Sequence, residues 1–115
     1  MVVFNLDGWH HGLLAAVLSA EYGIGVRDGA FCAHRLVAQI VGDRCEAVRL
    51  DPTAHAGAVR VSVGATTSLA DVERLLHALR SIRERGAAFD YVVRNGRYAL
   101  AEDSRVTPDL FARVR

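Results

Sequence analysis

The run Ala58-Val-Arg-Val-Ser-Val63 limits the fold more than any other stretch of the chain. Its two-residue alternation puts Val59, Val61 and Val63 on one side of an extended backbone and Arg60 and Ser62 on the other, the pattern of a strand with one face on a core. Thr66-Thr-Ser68 then leads into Leu69, Val72, Leu75, Leu76, Leu79 and Ile82. This is a helical stripe that opens on the capping-box pattern Ser68-x-x-Asp71 and stops at Gly86. A period of two followed by a period of 3.6 means a sheet covered by helices. The other face of the helix, with Asp71, Glu73, Arg74, His77, Arg80, Arg83 and Glu84, reads as wetted surface.

The remaining elements fit round that pair. Met1 to Leu6 is a short apolar run closed by Asp7-Gly8, which suits a buried strand; a domain that opens directly on a core strand reads as cut from something longer. Gly12 to Glu21 is a helix with Leu14, Val17 and Leu18 on one face and Gly23 as its stop. Ile24 to Arg27 reads as a strand broken by the turn dipeptide Asp28-Gly29, followed by a helix with Leu36, Val37, Ile40 and Val41 that ends at Gly42-Asp43. Glu46 to Leu50 reads as an edge strand, and 51–57 as a loop in which His55 is solvated. Phe89 to Leu100 is a hairpin about Asn95-Gly96. The stretch 101–115, with Pro108 and few apolar residues, reads as an extended or frayed tail. The fold class expected is α+β, a two-layer α/β sandwich. It has a small mixed, mainly antiparallel sheet with helices on one face, plus the C-terminal hairpin. At 115 residues and 51% hydrophobic content the chain supports one domain with a real core.

Fourteen basic and 13 acidic side chains are interspersed, leaving no like-charged block of the kind that nucleic acid or a membrane surface attracts. Cys32 and Cys45 lack C-x-x-C spacing, and nothing resembles a secretory leader, so a reducing, cytoplasmic setting is expected. Cys32 sits at a strand-to-helix junction with Arg27, His34 and Arg35 close in sequence, an electropositive setting of the kind that activates thiols. The plainer alternative is a small core cysteine that follows a turn. Nothing marks Cys45 beyond an ordinary thiol. His10-His11 lacks a third ligand at a recognisable spacing, so the pair reads as turn or helix-start residues, not as a metal site. Arg60 is either a solvated mid-strand charge or a guanidinium in a cleft, the best bidentate receptor for a carboxylate; the residues leave both open. Every lysine position is absent: all the basic residues are Arg, and Arg cannot form an imine.

The order strand, helix, Gly-Ile-x-Val-Arg-x-Gly-x-x-Cys-Ala, helix, Val-Arg-Val-Ser, Ser/Thr-rich turn, helix resembles the C-terminal small domain of class V aminotransferases. These are fold-type I pyridoxal-phosphate enzymes that include cysteine desulfurases and selenocysteine lyases. The resemblance runs from Val2 to Ile82 and is sharpest over Gly23–His34 and Val59–Val72. It implies residues 1–86 as the small domain, with 87–115 as a hairpin and tail of the same domain. It further implies Cys32 as the nucleophile that becomes a persulfide and Arg60 as the grip on the substrate carboxylate, with Arg27 and His34 beside them at the substrate. The chain departs from the family at Arg35, where Pro is frequent, and at Ala65-Thr66-Thr67, where a Tyr-Asn-Thr turn is usual.

In that family the coenzyme's lysine, the acid at its ring nitrogen and its phosphate cup lie on a large domain. The resemblance therefore implies a piece that is not self-sufficient. Its expected partners are a large pyridoxal-phosphate-binding domain or partner chain, a small amino-acid substrate and a second copy of itself. The competing expectation is a free-standing α/β interaction or small-ligand module that has kept the fold and lost the chemistry.

Overall fold

The computed structural model describes residues 1–41, 45–51 and 54–105. In chain order the elements are β1 (Val2–Phe4), α1 (His11–Tyr22), β2 (Arg27–Gly29), α2 (His34–Val41), α3 (Glu46–Leu50), β3 (Ala58–Val61), α4 (Leu69–Arg85), β4 (Tyr91–Arg94) and β5 (Arg97–Leu100). The architecture is α+β. β3 lies at the centre of an antiparallel sheet of order β1-β3-β2, and β4 and β5 form a separate hairpin.

Register decides which way each side chain of β3 points. Val59 stands opposite Phe4 and Asp28, while Arg60 stands opposite Val3 and Arg27. The Val59 face meets α1 and α4 in the main core of Leu14, Val17, Leu18, Val59, Ala78 and Ile82. Leu14, Leu18 and Ile82 are fully enclosed there, and burial of each contributes roughly 2 kcal/mol. The opposite face carries a smaller cluster in which Ala58 and Val3 meet Val37 and Val41 of α2 and Ala47 of α3. Arg60 shares that second face, so the alternation of the β3 sequence separates the guanidinium from the main core as expected.

The helix ends follow their signals. α1 starts where His10 Nδ1 accepts the Gly12 amide at 3.0 Å, and it ends at Gly23, left-handed at φ 65, with the Ile24 amide returned to the Leu18 carbonyl. The Gly23 amide returns to the same carbonyl, so the left-handed glycine lets the chain turn back and satisfy a carbonyl of the last turn. α4 carries the full capping box: Ser68 Oγ accepts the Asp71 amide, and Asp71 Oδ2 accepts the Ser68 amide. The hairpin turns on Asn95 and Gly96, both at positive φ, as a type I′ turn requires. Glu21 of α1 ties the hairpin down. Its carboxylate accepts the amides of Ala88 and Phe89 and the Tyr91 hydroxyl, with the Tyr91 bond at 3.0 Å. Burial and that hydrogen bond hold the Tyr91 hydroxyl above the ordinary phenol range.

Four expectations are corrected. The second strand is not Ile24–Arg27 with a turn at Asp28-Gly29 but Arg27–Gly29 itself. Ile24 and Val26 pack into the main core before pairing begins, and the turn falls at Phe31-Cys32, closed by the Ala33 amide on the Ala30 carbonyl. Glu46–Leu50 is a short helix, not an edge strand. Its five residues make an Arg49–Glu46 ion pair one turn apart at 2.9 Å and bury Ala47 while leaving Leu50 exposed. β3 ends at Val61, so Val63, expected in the core with Val59, is 57% exposed. The apolar stripe of α4 is buried only in its lower part: Ala78 and Ile82 are enclosed, whereas Leu69 is 75% exposed and Val72 and Leu76 also face outward. The expected helix end at Gly42-Asp43, the Pro52 and Thr53 part of the loop and residues 106–115 of the tail lie outside the described residues.

Candidate active site

The second face of the sheet carries two of the four residues expected at a site, and a third, Cys32, lies on the turn that follows β2. Antiparallel pairing of β2 with β3 makes Arg27 and Arg60 direct cross-strand partners, and residues so paired project to the same side. The chain leaves β2 through Gly29, at φ 109, and turns at Phe31 and Cys32, at φ 52 and 59. Two consecutive non-glycine residues in the left-handed region are uncommon, and each costs about 1 kcal/mol or more. The turn sets Cys32 on the surface with its thiol free. It also carries the Phe31 ring back under Arg60, whose guanidinium carbon lies 5.0 Å from the ring centroid.

Among the described residues Arg60 lacks the carboxylate partner that a merely structural arginine would have. No carboxylate among them pairs with Arg27 either. The Arg60 Nε is buried without any hydrogen-bond acceptor. A buried guanidinium N–H with no acceptor is unusual, and two adjacent guanidinium groups without a counter-ion make a receptor for an added anion.

His34, the fourth expected residue, goes elsewhere. It opens α2 and is exposed, its ring edge-on to His55 at 5.3 Å. Together with Arg35, Val48, Ala54 and Ala56 it lines an open cavity of ≈ 470 Å³ whose walls include none of Arg27, Arg60 and Cys32. The thiol of Cys45 is buried and exchanges contacts of 3.4 Å with the Gly57 amide and carbonyl, which makes it a structural group.

Behind β2, on the main-core side, His11 Nδ1 meets Asp28 Oδ2 at 3.2 Å. That bond, the largest influence, holds the Asp28 carboxyl below its ordinary value. Burial, reinforced by His11 beside it, holds His10 below the usual imidazole range. The two histidines, with Asp28, Arg97 and Tyr98, line a cavity of ≈ 360 Å³, and the His10 ring lies 5.0 Å from that of Tyr98. Both histidines thus hold the start of α1 to β2 and to the hairpin. Phe31 was not singled out by sequence. Its value depends on the β3 register and the left-handed turn, and only its position beside Cys32 hinted at it.

Pyridoxal phosphate, the coenzyme implied by the resemblance, is held through a lysine imine. The face offers guanidinium, thiol and aromatic groups, and the chain has no lysine at all. These residues do not fit the coenzyme as its covalent host.

A family model described as Aminotransferase class-V matches residues 1–75. The chain is 38% identical over 74 residues to a "Probable cysteine desulfurase" of Vibrio cholerae serotype O1, an alignment covering 64% of this chain and 15% of that protein. It is 32% identical over 96 residues to a "Molybdenum cofactor sulfurase" of Anopheles gambiae, covering 68% of this chain and 12% of that protein. The chain therefore spans a small fraction of the length of either relative. No solved structure matches it.

Proposed function

The chain belongs to the aminotransferase class-V family, and from that premise we propose that it is the small-domain half of an amino-acid-processing active site of the cysteine desulfurase type. Arg60 receives the substrate carboxylate, with Arg27 beside it as a second guanidinium. Cys32, exposed on its turn, is the candidate nucleophile that takes over sulfur. His34, whose ring meets His55 in a separate cavity, is assigned a supporting place at the substrate. Residues 1–86 form the unit that does this, and 87–115 belong to it as hairpin and tail.

The coenzyme's lysine comes from a large domain or partner chain, so the piece is not self-sufficient, and its two free thiols suit a reducing, cytoplasmic setting. One observation carries the reading: two cross-strand arginines that pair with no carboxylate among the described residues, one of them against the Phe31 ring of the Cys32 turn. The exposure of Leu36 and Ile40 on α2, 56% and 62%, next along the chain from Cys32, supports a covering domain at the same place. No helix among the described residues is long and apolar enough to cross a membrane.

The test is a chimera in which residues 1–75 replace the matching segment of the Vibrio cholerae relative, assayed for sulfide release from cysteine in the presence of a thiol reductant. Activity should survive the exchange. Arg60→Met should lower kcat/KM about a hundredfold, the loss expected when a bidentate charge-assisted contact is removed. Cys32→Ser should abolish sulfide release while substrate binding persists. An active chimera indifferent to Arg60→Met would refute the carboxylate assignment. One in which Arg60→Met matters and Cys32→Ser does not would favour a family member without desulfurase chemistry.

A further inference from the structure

The contact between Phe31 and Arg60 has served so far only to place the Cys32 turn, and three observations at it belong together. The guanidinium carbon of Arg60 lies 5.0 Å from the centre of the Phe31 ring. The Arg60 Nε is buried without an acceptor. Phe31 and Cys32 both hold left-handed backbone conformations, at φ 52 and 59, that L-residues rarely adopt.

An aromatic face is a poor hydrogen-bond acceptor but a good surface for a flat cation, and the attraction grows as water is excluded. The ring supplies no acceptor to the buried Nε, leaving the terminal nitrogens as the side chain's means of binding an anion. The ring is itself half-buried against the Ala58 and Val37 cluster, which fixes its plane. Guanidinium, ring and core therefore stack in that order, and the last residue before the thiol sits in the middle.

We infer that Phe31 is the positioning residue of this site: its ring sets the plane of the Arg60 guanidinium, and through the peptide bond to Cys32 it couples the anion receptor to the turn that presents the thiol. The inference rests on the carboxylate reading of Arg60 for its meaning, but its geometry can be tested apart from that reading. Coupling of this kind is reciprocal. Whatever moves the guanidinium moves the turn, and whatever relaxes the turn loosens the guanidinium.

The experiment uses the whole chain labelled with ¹⁵N and ¹³C, with the variants Phe31→Leu, Phe31→Tyr and Arg60→Met. In the wild type the Arg60 Nε–Hε resonance should be sharp, shifted upfield by the ring and slow to exchange with water. Phe31→Tyr should keep that signature and Phe31→Leu should lose it. Arg60→Met should shift the one-bond Cα–Hα couplings of Phe31 and Cys32, which report the sign of φ, towards ordinary negative-φ values. Acetate, titrated against the Arg60 resonance, should bind about two- to fivefold more weakly to Phe31→Leu than to the wild type, the range that a partly shielded cation–π contact carries, with affinity restored in Phe31→Tyr.

An Arg60 resonance indifferent to Phe31→Leu overturns the inference, as does an Arg60→Met protein whose turn is unchanged. If Phe31→Leu does not fold, the Phe31→Tyr and Arg60→Met spectra still decide. If acetate moves no arginine signal while the ring shift and the turn respond as stated, the coupling stands and the carboxylate reading falls.

Discussion

Gly57→Ala perturbs the anchoring of the strand that carries Arg27, and its effect can be worked from the structure. A methyl group at position 57 would intrude on the His11 ring, lying 2.6 Å from Cδ2 and 2.7 Å from Cε1, far inside van der Waals contact. The backbone there has little freedom to move. The Gly57 carbonyl accepts the Asn5 side-chain amide at 3.0 Å, and the Gly57 amide lies 3.4 Å from the buried Cys45 sulfur. The ring must therefore yield, and in yielding it leaves Asp28. Overpacking of this kind costs about 1–3 kcal/mol, and the lost bond to a half-exposed carboxylate about 1 kcal/mol more.

A total near 3 kcal/mol lowers Tm by roughly 15 °C in a domain of this size. Urea unfolding gives the stability change, and carboxyl ¹³C titration shows whether Asp28 returns to its ordinary value of 3.8 once its largest influence is gone. Because both effects act through one ring, Gly57→Ala added to His11→Ala should cost much less than Gly57→Ala alone. Full additivity, or a destabilised Gly57→Ala with the Asp28 titration unchanged, would refute the reasoning.

Further outcomes follow from other groups. Glu21→Ala removes the acceptor for two amides and the Tyr91 hydroxyl. It should cost about 1–2 kcal/mol after allowance for exposure, with amide exchange accelerated first in Tyr91–Leu100. The Tyr91 hydroxyl, raised in the fold, contributes stability that is complete below its unfolded value of 10.0 and lost as pH rises above it; Tyr91→Phe should remove that alkaline loss. His10, held below 6.5, and Asp28, held below 3.8, both make the fold less stable towards acid. The unfolded chain takes up the His10 proton first as pH falls through 6.5, and the ionised Asp28 is lost at lower pH. Urea midpoints should therefore fall from pH 7 to 5.5 and again below 4, and His10→Ala should flatten the first step. Iodoacetamide should label the exposed Cys32 about a hundredfold faster or more than the buried Cys45, whose reaction waits on opening of the fold. Equal rates would place Cys45 on the surface.

What the sequence made legible is what local chemistry determines. The Ser68–Asp71 box, the stops at Gly23 and Gly86 and the Asn95-Gly96 turn are signals complete within a few residues, and each stands where it was read. The errors share a different cause. Val63, Leu69 and Val72 have the right period but lie past the end of the partner that would cover them, and periodicity carries no information about where a neighbouring element ends. Glu46–Leu50 is too short for its period to separate strand from helix.

The candidate site was legible in part. Arg60 and Cys32 were marked by their place in a pattern, but the pairing of Arg27 with Arg60 depends on a register set by contacts 33 residues apart. The Phe31 stack depends in addition on a left-handed turn that no propensity favours. His34, near Cys32 in sequence, points towards His55 because α2 begins there and rotates it away.

The central claim is that this face is a receptor for the carboxylate of an amino acid. Titration of the chain with alanine, followed at the Arg60 side-chain resonances, tests it most directly. The account predicts saturable binding with Kd on the order of millimolar, a shift at Arg60 and a smaller one at Arg27, and no saturating shift of the Arg27 side chain in Arg60→Met. Shifts that are linear in alanine, or an Arg27 shift that persists unchanged in Arg60→Met, would contradict it.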